Sequence, residues 1–244
     1  MEKFRHHVTS LEIPIKKDTR VDHIEDGNPK VLHLTSGESL KAKAVIIATG
    51  SKPRQLGVIG EDAFRGKGVA YCAICDGPFF TDRKVVVAGG GNSAVEAAID
   101  LSKIASEVLL IHRSDFRADQ ILLDRISQIP NIKVHLQTQI QEVYGTSLME
   151  GIKVLDKTTE EVNIIEADGI FIEIGYLPNS DAFKNLLDMT DRGEIIVNHK
   201  TETNIQGIYA AGDVATVPYK QIIIAASEGA KAALTANDYI NKLK

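Results

Sequence analysis

Short apolar runs alternate with helical stripes along this chain. Val45-Ile46-Ile47-Ala48, Val85-Val86-Val87-Ala88, Val108-Leu109-Leu110-Ile111, Gly169-Ile170-Phe171-Ile172 and Gly207-Ile208-Tyr209-Ala210-Ala211 are brief, rich in β-branched side chains and flanked by glycine or polar residues. That pattern predicts buried strands. From Ser93 to Ser106 apolar residues recur at helical spacing, so residues 84–111 read as strand–helix–strand, a βαβ unit with a parallel pair. Residues 118–129 predict a second amphipathic helix, ended before Pro130, and residues 227–243 a C-terminal one. Residues 30–44 alternate around a Ser-Gly turn and predict a hairpin. Residues 138–162 alternate more weakly, with Gly145 and Gly151 as turns, and are expected as antiparallel strands on the edge of the sheet. The fold class expected is α/β. Turn chemistry at Ser51-Lys52-Pro53-Arg54 and at residues 175–180 cuts the chain into a middle domain, residues 57–176, and a second domain built from residues 1–56 and 177–244.

Composition narrows the picture. The chain has 244 residues, enough for one large domain or two modest ones, with 43% apolar and 25% charged residues, which excludes an intrinsically disordered chain. A net charge of −5 argues against a nucleic-acid binder. No apolar run approaches the ~20 residues that cross a bilayer. The opening Met-Glu-Lys-Phe-Arg-His-His has no apolar stretch of the secretory kind, so a cytoplasmic location is the expectation.

Two features carry chemistry. The first is Gly89-Gly90-Gly91-Asn92-Ser93-Ala94, which follows a predicted strand and opens a predicted helix. Gly89, Gly91 and Ala94 fit G-x-G-x-x-G/A: Gly89 for the tight turn, Gly91 for close approach of a pyrophosphate, and a small residue for close helix–strand packing. The helix N-terminus would supply free N–H groups and partial positive charge. The alternative is a glycine-rich turn without a ligand. After the next strand come Arg113 and Arg117, which favour the 2′-phosphate of NADPH, and Asp115, which would suit the ribose of NADH. Solvated loop charges are the bland alternative.

The second is Cys72-Ala73-Ile74-Cys75-Asp76-Gly77, which holds the only two cysteines in the chain. A two-residue spacer allows a small disulfide ring, and a CxxC setting lowers thiol pKa. A structural zinc site would need two more ligands at matching spacing, and two buried inert thiols are the other alternative. Asp76 stands where a carboxyl would exchange a proton with a thiol, or where it would cap a turn before Gly77.

These motifs in combination resemble the low-molecular-weight thioredoxin reductases. The residues concerned are Ala48-Thr49-Gly50, C-A-I-C-D-G at 72–77, G-G-G-N-S-A at 89–94, and I-Y-A-A-G-D-V at 208–214 followed by Tyr219-Lys220-Gln221. G-N-S-A-V-E-A-A-I-D-L at 91–101, A-D-Q at 118–120 and T-V-P-Y-K-Q-I-I-I at 216–224 resemble in particular the reductase portion of the alkyl hydroperoxide reductase flavoprotein subunit. The resemblance implies a Rossmann-like NAD(P)-binding domain inserted in a partial, Rossmann-like FAD-binding domain. It implies a pyridine nucleotide-disulfide oxidoreductase that passes electrons from NADPH or NADH through FAD to a Cys72–Cys75 disulfide, and on to a thioredoxin-like or peroxiredoxin-system protein disulfide. By it, Cys75 faces the flavin, Cys72 attacks the partner and Asp76 is the acid/base. Thr49, Gly50, Gly212, Asp213, Lys220, Gln221 and Ile222 lie along FAD, with Gly175 in the return crossing between domains. Gly89, Gly90, Gly91, Asn92, Ser93, Ala94, Glu96, His112, Arg113, Arg117 and Ile174 complete the cofactor contacts. A homodimer is also implied.

Two departures modify this expectation. Ser114 stands where the family carries a second consecutive arginine. Nothing before residue 89 fits G-x-G-x-x-G, so weak or absent FAD is expected for the isolated chain. The competing expectation is a flavin-free chain, truncated or split, that is inactive alone and only binds nucleotide or a partner.

Overall fold

The computed structural model describes residues 2–243. The chain forms two compact units, Met1–Lys52 with Leu177–Lys244, and Pro53–Tyr176.

The first unit opens with helix α1 (Glu2–Ser10), which buries none of its described residues. Strands β1 (Val21–Glu25), β2 (Lys30–Leu34) and β3 (Ser39–Ala42) form an antiparallel sheet in that order. Strands β2 and β3 are the expected hairpin, turned at Gly37, where φ of 88° suits glycine. Nothing in the apolar pattern marks β1. Strand β4 (Val45–Ile47) follows, and β5 (Ser51–Pro53) carries the chain out of the unit.

The second unit contains β6 (Val69–Ala70), the one-turn helix α2 (Ala73–Asp76), β7 (Lys84–Ala88), α3 (Asn92–Leu101), β8 (Glu107–Ile111), α4 (Gln120–Ile126) and β9 (Ile132–His135). Strands β10 (Thr138–Gly145), β11 (Met149–Asp156) and β12 (Val162–Glu166) precede β13 (Gly169–Ile172). The parallel sheet runs β6-β13-β7-β8-β9. The expected βαβ unit is β7–α3–β8. Helix α4 is shorter than the expected 118–129, because Asp119 takes an extended conformation as its N-cap and the turn 127–129 lies outside the helix.

Strand side chains alternate between the two faces of the sheet. Val85, Val87, Val108, Leu110 and Phe171 pack with Ala94, Val95, Ala98 and Leu101 of α3. Val86, Ala88, Leu109, Ile111, Ile170 and Ile172 pack instead with Ile140, Val143, Ile152 and Val154. That second layer corrects an expectation: β10, β11 and β12 form their own antiparallel sheet and are not the edge of the parallel one. The physical reason is that both faces of the parallel strands are apolar, and the alternating apolar residues of β10 and β11 bury one of them. Gly151 is likewise not a turn. It sits inside β11 opposite Tyr144, where a Cβ would meet the Tyr144 hydroxyl at 2.5 Å.

The chain returns through β14 (Tyr176–Pro178), which pairs with β5. Strand β15 (Ile208–Ala210) pairs in parallel with β4, and helix α5 (Ile222–Lys242) closes the first unit. Helix α5 begins five residues before the expected Ser227, with Gln221 as its extended N-cap. Ile24, Val45, Ile47, Phe183, Ile195, Ile208 and Val214 form this unit's core, and Tyr209 and Ala211 pack on Ala232 and Ala236 of α5. Ile46, Tyr219, Ile222 and Ile223 remain exposed.

Candidate functional site

The parallel sheet organises the second unit's chemistry. Its order reverses beside β7: β8 and β9 extend to one side, β13 and β6 to the other. In such sheets ligands bind outside the carboxyl ends of the strands at this switch point. Gly89 follows the carboxyl end of β7, and Glu173 that of β13, with the Glu173 N–H donating to Ala88 O at 2.8 Å. Gly89 has φ of 154°, and a Cβ there would lie 2.4 Å from Glu173 O and 2.7 Å from the Ala94 Cβ. The tight turn and the small residue at 94 therefore explain each other. Gly90 leaves room for a ring: a Cβ on it would approach His112 Cδ2 to 2.2 Å. A Cβ on Gly91 would meet nothing within 4 Å, so the face of the loop above Gly91 is open.

Helix α3 starts on this loop with Gly91 as an extended N-cap and no side-chain cap hydrogen bond. The N–H groups of Ala94 and Val95 donate to Gly91 O at 3.1 and 3.2 Å, whereas those of Asn92 and Ser93 have no acceptor among the described residues. An open loop face over two unused helix-start amides fits a dinucleotide pyrophosphate. The loop 113–117 is tied to it, because Arg117 N–H donates to Gly90 O at 2.7 Å. Arg113 and Arg117 are exposed, and neither forms an ion pair among the described residues. Asp115 is engaged by Gln137, whose Nε2 donates to its carboxylate at 3.0 Å. The Asn92 side chain is engaged twice with Asp119: Nδ2 donates to the carboxylate at 2.8 Å and Oδ1 accepts from Asp119 N–H at 2.9 Å. It anchors the start of α4 to the start of α3. His112 is buried, with Nε2 3.1 Å from Ser114 Oγ. Burial, reinforced by the Arg117 and Arg113 charges, holds its pKa below the ordinary histidine value, so the ring packs as a neutral group under Gly90. Ser93 and Glu96 are exposed on α3, and Ile174 is half-buried one residue beyond Glu173.

Cys72 and Cys75 are joined in a disulfide with Cα atoms 5.3 Å apart. Cys72 caps α2, its Sγ accepting from Cys75 N–H at 3.2 Å. Cys75 is exposed and Cys72 half-buried. Asp76 is the last residue of α2 and leads a short 3-10 turn, Gly77–Phe80, without a side-chain cap hydrogen bond. The capping alternative for Asp76 is therefore corrected: its N–H closes α2 on Cys72 O at 3.0 Å, and its carboxylate caps no turn and has no partner among the described residues. Gly77 is pressed against α3, where a Cβ would lie 3.2 Å from Leu101 Cδ2. This contact seats the disulfide segment on the domain.

Glu173 was missed by sequence reasoning. Its Oε1 accepts from Ala73 N–H at 3.4 Å, at the first residue of the disulfide helix. Burial pushes its pKa up to about 7, opposed only by that amide. A signal was present: a carboxylate interrupting the apolar run Gly169-Ile170-Phe171-Ile172-Glu173-Ile174-Gly175.

In the first unit, Thr49 Oγ1 donates to Asn179 O at 2.7 Å, and Gly50, with φ of 68°, accepts from Asn179 N–H at 2.9 Å. Ser51 Oγ reaches the Asp213 carboxylate at 3.4 Å. Lys220 Nζ donates to Asp213 O at 3.2 Å and Ala215 O at 2.9 Å and pairs with Glu194 at 2.8 Å. Thr49, Gly50, Gly212, Asp213 and Lys220 are thereby brought into one cluster, and Ile222 is exposed at the start of α5. This unit's parallel sheet consists of β4 and β15. Among the described residues, the only glycine loop running from strand to helix is 89–94 in the other unit. The described residues of this unit do not fit the pyrophosphate of a flavin dinucleotide.

The profile of the pyridine nucleotide-disulphide oxidoreductases matches residues 2–229. An alkyl hydroperoxide reductase subunit of Pseudomonas putida is 45% identical over 239 residues, covering 96% of this chain and 46% of the relative. Its counterpart in Escherichia coli is 46% identical over 221 residues, covering 90% and 42%. The chain thus spans about half the length of these curated relatives. Among solved structures, a thioredoxin reductase from Streptococcus pyogenes superposes with a TM-score of 0.91 at 35% identity, covering 99% of this chain and 79% of that one. The switch-point glycine loop, the CxxC disulfide and these likenesses agree: the chain belongs to the pyridine nucleotide-disulphide oxidoreductase family.

Proposed function

We propose that this chain works in disulfide reduction. Its glycine loop binds NADPH or NADH, and its Cys72–Cys75 pair hands two electrons to a disulfide on a separate thioredoxin-like or peroxiredoxin-system protein. The observation that carries this reading is the convergence, within one unit, of the disulfide and the open glycine loop on the carboxyl ends of β7 and β13, with Glu173 touching both. In the reduced state, a Cys72 thiolate attacks one sulfur of the partner disulfide. A mixed disulfide forms, and the partner's other sulfur leaves with the electron pair. Cys75 sulfur then attacks Cys72 sulfur, restoring the intramolecular bridge and releasing the partner as a dithiol. The uncommitted Asp76 carboxylate takes the proton from an attacking thiol and returns one to a leaving thiolate. The exposed Arg113 and Arg117 beside the loop support NADPH over NADH.

FAD would supply the two-electron link between nicotinamide and disulfide. Thr49, Gly50, Gly212, Asp213, Lys220, Gln221 and Ile222 would lie along its flavin and ribityl parts, while its pyrophosphate has no loop among the first unit's described residues. That observation favours a second reading, a chain inactive alone that binds nucleotide or a partner. The same resemblance supports a homodimer and a cytosolic location; light scattering tests the first.

The test mixes protein, NADPH or NADH, and an oxidised thioredoxin, with and without added FAD, and follows nucleotide oxidation by absorbance. Consumption that depends on Cys72 and Cys75 supports the reductase. Nucleotide binding without consumption under any condition leaves the second reading. Stoichiometric flavin absorbance on the purified protein would overturn the expectation of weak FAD binding.

A further inference from the structure

Glu173 has no place in the chemistry above, yet its carboxyl is half-buried at the switch point and in contact with the disulfide helix. It accepts from Ala73 N–H at 3.4 Å, and Ala73 is joined by its peptide bond to Cys72. Cys72 is itself the cap of that helix, its sulfur accepting from Cys75 N–H. The carboxyl and the half-buried sulfur therefore share the amino end of one helical turn. A negative charge on either disfavours a negative charge on the other.

We propose that Glu173 is a positioning residue for the Cys72–Cys75 couple. It holds the first amide of the disulfide helix, and its protonation sets how readily Cys72 exists as a thiolate. This rests on the redox reading of the pair. With Glu173 neutral, the thiolate keeps the Cys75 N–H as a donor and meets no charge from Glu173. With Glu173 ionised, two anions face one helix end, and the thiol keeps its proton to higher pH. Reduction by a dithiol adds two electrons to the sulfur–sulfur bond and leaves a pair on each sulfur. Protons are then taken up by the sulfurs or by Glu173, whichever binds them more tightly, so the two ionisations are linked.

Beside Ala73, the one amide that Glu173 holds, the disulfide segment carries Tyr71, Cys72, Cys75 and Asp76 in sequence, while Arg54 lies against Gly175 and His112 under Gly90. In the oxidised protein none of their charges moves its ionisation; burial does, near the pH at which a cell operates. A carboxyl with this poise responds to a thiolate formed beside it.

The experiment follows the Glu173 carboxyl by carbon-13 NMR in the wild-type chain across pH, first oxidised, then reduced with dithiothreitol. In parallel, alkylation of the reduced thiols by iodoacetamide is timed against pH in wild type and Glu173→Gln. The expected result is a Glu173 titration displaced upward on reduction. The wild-type alkylation profile should carry two inflections, and Glu173→Gln should show one. Below the thiol pKa the Glu173→Gln variant should react about tenfold faster than wild type with Glu173 ionised, which corresponds to about one unit of thiol pKa. A Glu173 titration identical in the two redox states, or superposable alkylation profiles, would overturn the proposal while leaving the redox pair intact. If the reduced wild-type thiols never re-form the Cys72–Cys75 bridge, the redox reading fails first. Because the NMR arm uses the wild-type chain, poor folding of a variant does not decide the matter.

Discussion

Replacing Glu173 by Gln also has a stability consequence that follows from burial alone. The glutamine keeps an oxygen for Ala73 N–H and nearly the same shape, but it cannot ionise. The folded carboxyl titrates at about 7, against an ordinary value of 4.5. Below 4.5 both folded and unfolded chains hold the proton, and no pH dependence arises. Between 4.5 and about 7 the unfolded chain releases it while the folded chain retains it, so stability falls as pH rises. Above that window the full cost is present. At ~1.4 kcal/mol per pKa unit the upper figure is about 3 kcal/mol, reduced by whatever solvent reaches the half-buried group. Glu173→Gln removes this slope, so relative to wild type it gains stability between mildly acidic and mildly alkaline pH. Two units need not unfold together, so a single global melt is the wrong readout. Hydrogen exchange of Val85, Val86 and Val87 amides, in the core of the second unit, reports the relevant opening. Both chains are kept oxidised. Parallel pH dependences in the two would refute the claim that burial holds this carboxyl protonated.

Other predictions follow from the loop. Gly91→Val should fold normally, because a Cβ there meets nothing within 4 Å, but should weaken NADPH or NADH binding at least tenfold in a calorimetric titration. Unaltered affinity would remove the pyrophosphate from that face. Gly89→Ala should lower the stability of the second unit by about 2 kcal/mol or more, since both its φ of 154° and the 2.4 Å approach to Glu173 O oppose a side chain; differential scanning calorimetry checks it. Arg113→Ala with Arg117→Ala should weaken NADPH about tenfold or more while leaving NADH nearly unchanged. An equal loss for both nucleotides would reduce the arginines to general surface charge.

Local features of the sequence carry much of the chemistry. The β-branched run before Gly89 and the helical stripe after it define β7–α3–β8, because neighbouring residues decide strand, turn and helix there. The CxxC spacing likewise brings two sulfurs together through one helical turn. What tertiary structure decided was which surfaces and side chains meet at long range. The alternation in β10 and β11 announces antiparallel strands, but only packing shows that they cover a whole face of the parallel sheet. Asn92 looked like a loop residue for a cofactor, and its partner Asp119 lies 27 positions away. Glu173 reaches an amide 100 positions distant, and its ionisation depends on the burial that this meeting creates. Periodicity records which face of an element is apolar. It carries no record of which distant polar atom that face is pressed against, and desolvation at such a meeting is what turns an ordinary glutamate into a group poised at about 7.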